Sequence, residues 1–134
     1  MPLLNLYKLH FSTDKDFVKK LKNILGFVPG NVALYKMAFR HRSVAKVLKN
    51  GSRSSNERLE FLGDAVLNFI IAAEVFYRYP EMKEGDLSRL RANLVNGEVL
   101  AELAGELQIG QYLQFGSGEL RSGGPQRKSI IADA

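Results

Sequence analysis

Residues 57–79 run without a proline and with Gly63 as their one glycine, and Pro80 follows at once. Apolar side chains recur through it at helical spacing, so it is expected to be a single long helix, starting at Ser55 or Asn56, closing near Tyr79 and organising whatever packs around it. At about 100° per residue, with Glu57 at the origin, Leu59, Leu62, Val66, Phe69 and Ala73 fall between about 120° and 200° and are the expected core face. Glu57, Glu60 (about 300°) and Asp64 (about 340°) share a narrow polar stripe, and Phe61 (about 40°) lies beside it, away from the core face.

The remaining pattern is also helical. Asp14 or Asp16 is a candidate cap for a helix through Phe17, Leu21, Ile24 and Leu25, stopped by Gly26 and Pro29; Asn31 is a candidate cap for a second through Leu34, Met37 and Ala38. Residues 49–55 are polar and read as loop. Residues 84–107 read as a helix with a break near Asn96–Gly97. Residues 110–125, with five glycines and Pro125, read as loop with a short extended piece at Tyr112–Phe115, before a last helix starting near Gln126. Residues 1–15 read as a loosely organised N-terminal extension and 16–134 as one domain. No sustained period-2 alternation occurs, so the expected fold class is all-α.

Apolar residues make up 46% of the 134, enough for a core. The absence of cysteine excludes disulfides and thiolate metal sites. It fits a reducing, cytoplasmic setting, as does a start without a charged segment followed by an apolar run. No apolar stretch approaches the roughly 20 residues of a membrane span. The net charge of +5 is unevenly spread: residues 1–53 carry eleven Lys/Arg against Asp14 and Asp16, a net of +9, and residues 54–134 carry eight against twelve Asp/Glu, a net of −4. A basic half suits a polyanion, although a solvated lysine-rich surface would look the same. An acidic half that also meets a polyanion needs a cation between them.

Carboxylates at i, i+3 and i+7 repel one another by a few tenths of a kcal/mol or so per close pair. Arg58, the one cation near in sequence, points to about 100°, off the stripe. A divalent cation would relieve the repulsion, and Mg²⁺ suits oxygen ligands, typically taking one or two protein carboxylates together with substrate phosphate oxygens. A solvated acidic helix face is the commoner origin of such a stripe. Phe61 beside it fits either a partner surface or cover by the 49–55 loop.

The segment NERLEFLGDAVL at 56–67 resembles the signature of the ribonuclease III family. HRS at 41–43, EGDLSRLRANLV at 84–95, LAELAGEL at 100–107, GSGELRSGG at 116–124 and RKSIIADA at 127–134 follow the family's order and spacing. The resemblance covers roughly residues 16–134. It implies a ribonuclease III-like helical catalytic domain in which Glu60, Asp64 and Asp133 hold Mg²⁺, with Mn²⁺ as an alternative. Glu57 and Glu84 would be further acidic catalytic positions, and Phe61 an aromatic knob at a homodimer interface. It implies an endoribonuclease that cuts double-stranded RNA by attack of a metal-activated water, leaving a 5′ phosphate and a short 3′ overhang, in processing of ribosomal or other structured RNA. Ser43, Arg127 and Lys128 would lie within reach of RNA backbone. The family's fourth metal ligand, a glutamate three residues after the position of Asp133, would fall beyond Ala134. The final helix is therefore expected to be incomplete, and no double-stranded RNA-binding domain is expected within these residues. For a chain of this extent the alternative is a non-catalytic RNA-binding or assembly module of the same fold.

Overall fold

The computed structural model describes residues 3–10 and 12–134. The fold is all-α. Eight α-helices follow one another among the described residues: α1 (Leu3–His10), α2 (Lys15–Leu25), α3 (Val32–Ala38), α4 (Glu57–Arg78), α5 (Glu84–Leu94), α6 (Gly97–Glu106), α7 (Ser117–Arg121) and α8 (Lys128–Ala132). No strand is present among them. Two isolated bridges, Arg40 with Gln114 and Val47 with Arg53, are the extended pairings. The chain divides into two compact units, one ending at Lys36 and one over Met37–Ala134, with the boundary inside α3.

In the first unit α1 packs on α2. Leu9, Val18, Leu21 and Pro29 are buried, and each large aliphatic side chain enclosed in this way contributes roughly 1.5–3 kcal/mol. Residues 3–10 are thus helical, whereas the sequence suggested a loose extension: Leu9 has an apolar surface to cover, which local propensity does not register. Asp14 precedes α2 but makes no side-chain cap; its carboxylate pairs instead with Lys36. Gly26 ends α2 in the left-handed conformation (φ 76°), its N–H donating to the Lys22 carbonyl, which a residue with a Cβ would reach only with strain.

In the second unit α4 runs from Glu57 to Arg78 and ends where Pro80 disfavours a helical Tyr79. The expected break appears at Asn96, whose Oδ1 accepts the Val99 N–H at 3.0 Å and starts α6. Residues 110–125 are more ordered than a loop. They hold α7 and two 3₁₀ turns, Ile109–Tyr112 and Gly124–Gln126. Of the suggested extended piece, Gln114 forms a bridge to another segment: His41 N–H donates to its carbonyl at 3.1 Å, and its own N–H donates to the Phe39 carbonyl at 2.8 Å. Packing joins α6 to α8 and α4 to α5. Phe39, Val75, Ala101 and Ala104 are buried.

The expected core face of α4 is covered only in part: Leu59 and Ala73 are half-buried, but its middle is open. Leu62 is 58% exposed, Val66 49% and Phe69 72%, and Ile70 beside them is exposed as well. Val75 is the buried apolar residue of α4. Periodicity identifies side chains that share a face; it carries no information on whether another element lies against that face. Among the described residues no helix is long and apolar enough to cross a membrane.

Candidate metal centre

Three segments build the site. Residues 39–43 run beside 114–116, and the Arg40 carbonyl accepts the N–H of Asn56 at 2.9 Å, fixing where α4 begins. From that start Glu57, Glu60 and Asp64 project along one side of the first two turns. The partial positive charge of a helix N-terminus favours Glu57 and Glu60, but it fades within the first turn and gives Asp64 little relief. The third segment is α8, which places Asp133 at its C-terminal end.

Two adjoining cavities receive these carboxylates. The smaller, about 440 Å³, is lined by Glu57, Glu60 and Asp133 together with His41, Arg42, Glu119, Arg127 and Ser129. The larger, about 740 Å³, is lined by Glu57, Glu60, Asp64 and Asp133 and is otherwise mainly apolar, with Leu59, Leu100, Leu103 and Ile131 in its walls. Glu60 is common to both. Burial, then the negative charges of Asp133, Glu57 and Asp64, push its carboxyl above the ordinary range. Asp133 acts on Glu60 more strongly than Glu57 or Asp64 does, although it comes from 73 residues away in the chain. The two helices thus bring their charges into one field.

The individual partners are modest. Ser55 Oγ donates to Glu57 Oε2 at 2.9 Å, and Asn68 Nδ2 lies 3.2 Å from Asp64 Oδ1. No ion pair is recorded for Glu57, Glu60, Asp64 or Asp133 among the described residues. Their donor chemistry, hard anionic oxygens under mutual repulsion, fits a hard dication such as Mg²⁺. Among the described residues, however, no three His, Cys, Asp or Glu side chains stand close enough together to hold an ion as they are.

Glu84 opens α5, accepts the Ser88 hydroxyl at 2.9 Å and lines neither cavity. Phe61 is 81% exposed and borders the larger cavity. The Ser43 hydroxyl is already engaged: it accepts the Gly116 N–H at 2.9 Å and lies 2.8 Å from His41 Nδ1. Arg127 pairs with Glu119. Glu119 was not singled out by the sequence. Its one signal is that it is the sole acidic residue between Glu106 and Asp133, set in a glycine-rich stretch.

A profile of the Ribonuclease-III-like family matches residues 31–134. The chain is 50% identical over 115 residues to Ribonuclease 3 of Marinomonas sp. (strain MWYL1), covering 86% of this chain and 48% of that protein. It is 51% identical over 122 residues to Ribonuclease 3 of Dechloromonas aromatica (strain RCB), covering 91% and 50%. The chain therefore spans about half the length of the curated relatives it matches. Among solved structures it is similar to the nuclease domain of ribonuclease III from Campylobacter jejuni, with a TM-score of 0.76 and 36% identity, covering 87% of this chain and 77% of that one. That structure is described as showing flexibility in a region involved in dimer formation.

Proposed function

The chain belongs to the Ribonuclease-III-like family, and from that premise we propose that residues 16–134 are the catalytic domain of a divalent-metal-dependent endoribonuclease acting on double-stranded RNA. The observation that carries this is the meeting of Glu60 on α4 with Asp133 on α8 in cavities that also receive Glu57 and Asp64. Four carboxylates without a salt-bridge partner among the described residues repel a phosphodiester as well as each other. The arrangement becomes productive once a dication stands between protein and RNA.

Glu60, Asp64 and Asp133 would hold the ion, Mg²⁺ or Mn²⁺. When bound, such an ion supplies an activated water at neutral pH and offsets charge developing on the phosphate. The protein's own residues orient and select. Glu57, tied to Ser55, places a further acceptor in the lining of both cavities. Arg42, in its wall, offers donors to a phosphate oxygen. Strand cleavage would leave a 5′ phosphate and a short 3′ overhang. Phe61, exposed beside the acidic stripe, is the proposed knob of a homodimer that sets two such sites on one duplex. Ribosomal or other structured RNA is the proposed substrate, and the cytoplasm the proposed compartment. Glu84 is retained as an outer acidic position, one that acts from outside both cavities.

Cleavage of an end-labelled RNA duplex in Mg²⁺ or Mn²⁺ tests the assignment. Glu60→Ala and Asp64→Ala are each expected to abolish cutting while leaving the protein folded. Cutting at the parent's rate by either variant would refute the site. RNA binding without metal-dependent cutting by the parent would favour the non-catalytic module.

A further inference from the structure

Glu119 lies outside the acidic stripe, yet it is the most enclosed of the ion-paired carboxylates, with 19% of its side chain exposed. Its Oε1 lies 3.0 Å from Arg127 Nη1 but, walled in, takes no aligned hydrogen bond among the described residues. The contact is charge against charge. The same guanidinium reaches back through Nη2 to the Ser122 carbonyl at 3.1 Å and the Ser122 hydroxyl at 3.3 Å. Gly124 closes the other side: a Cβ there would stand 2.5 Å from Glu119 Cγ and 3.0 Å from the Glu119 carbonyl oxygen. End of α7, turn and guanidinium are held as one block.

Arg127 is also the residue from which α8 departs. Its carbonyl accepts the Ile131 N–H at 3.2 Å, and the Ser129 carbonyl accepts the Asp133 N–H at 3.0 Å. At about 1.5 Å per residue, Asp133 stands roughly 9 Å along the axis from Arg127. In a helix of so few turns, the direction in which it leaves Arg127, together with its packing on α6, sets where the Asp133 carboxylate arrives.

We propose that the Glu119–Arg127 ion pair is a positioning device for Asp133, setting the angle at which α8 delivers its carboxylate to Glu60 and so the affinity of the site for a hard dication. This rests on the metal assignment above. Neither residue needs to touch the ion. A rival explanation uses the same carboxylate differently: Glu119 lines the smaller cavity, so its charge alone attracts a cation through space. The two differ in one respect. A field effect persists whatever residue stands at 133, whereas positioning has nothing to act on once the Asp133 carboxylate is gone.

A double-mutant cycle separates them. Mn²⁺ affinity is read from the electron paramagnetic resonance of unbound Mn²⁺ for the parent, Glu119→Gln, Asp133→Asn and the double variant, with a thermal melt of each. Glu119→Gln is expected to weaken Mn²⁺ binding about ten-fold, the lower end for residues that orient a ligand, and the double variant to bind no more weakly than Asp133→Asn. Arg127→Lys keeps the charge but loses the fork that grips Glu119 and Ser122 together, and is expected to weaken Mn²⁺ binding as well. Parent-like affinity in both Glu119→Gln and Arg127→Lys would overturn the proposal. So would an undiminished Glu119→Gln penalty in the Asp133→Asn background. If Asp133→Asn alone binds Mn²⁺ like the parent, the metal assignment itself falls and takes the proposal with it; a weakened Asp133→Asn beside parent-like Glu119→Gln and Arg127→Lys sinks only the positioning role.

Discussion

Gly116 is the point at which a single methyl group would report whether segment 39–43 is seated as described. A Cβ at Gly116 would stand 2.7 Å from the Ser43 carbonyl oxygen, against about 3.4 Å for the near edge of ordinary contact. The obstacle is backbone, so no rotamer change removes it, and the two segments must part by about 0.7 Å. The bond most exposed to that movement runs from Gly116 N–H to Ser43 Oγ at 2.9 Å; lengthened by that amount it leaves hydrogen-bonding range. Overpacking of this kind costs about 1–3 kcal/mol, and the lost bond about 1 kcal/mol more. Gly116 sits at φ −72° and ψ 158°, which alanine adopts freely, so a stiffer unfolded chain returns about 0.4–1 kcal/mol. The net for Gly116→Ala is a loss of about 1–3.6 kcal/mol. With an unfolding entropy near 2.1 cal/mol/K per residue and 134 residues, that lowers the melting temperature by roughly 4–13 °C. Differential scanning calorimetry reads it directly. Gly118→Ala is the control: two residues on, inside α7, with nothing within 4 Å of its Cβ, it is expected to melt at or slightly above the parent. If Gly116→Ala also melts with the parent, segments 39–43 and 114–116 are not packed as found.

Two further outcomes are expected. Glu60 holds its proton more tightly folded than unfolded, so ionising it costs stability: the cost is absent below the ordinary value near 4.5 and grows as pH rises through the raised folded value. In chelator, melting of the parent should therefore decline with pH across that window, and Glu60→Gln should flatten the decline; parallel curves would show that the carboxylates do not share a field. Phe61→Arg changes a side chain that is 81% exposed and should shift folding stability by no more than about 0.5 kcal/mol, while light scattering at micromolar concentration should find a smaller particle than for the parent; an unchanged mass would remove Phe61 from any subunit interface.

The sequence revealed elements whose determinants are local. α4 was legible because Asn56 and Pro80 bracket an unbroken 3.6-residue pattern, and the α5–α6 junction because Asn96 carries its own cap. The acidic stripe followed from the same arithmetic. Features decided by distant parts of the chain were not legible. α1 gives no cap signal and is helical where Leu9 is covered. α7 is hidden in a glycine-rich run and is tethered at its start by Ser43, 73 residues earlier. Asp133 had no periodicity to announce it; the family resemblance alone pointed there, and the structure brings it into the field of Glu60. The apolar face of α4 was misjudged because a wheel has no knowledge of neighbours.

That face has a further consequence. One helix carries the acidic stripe and, part-way round the same cylinder, the bare apolar stripe of Leu62, Val66, Phe69 and Ile70. Their angular relation is fixed by residue count alone, about 100° for each step. Loss or gain of one residue between Asp64 and Val66 would leave the acids and Leu62 where they are and wheel Val66, Phe69 and Ile70 a quarter turn or more away from their present bearing. Point changes can tune either stripe by itself; changes of length cannot. Evolution can therefore reshape this rod by substitution, while insertions and deletions are free to accumulate in the loops at its two ends.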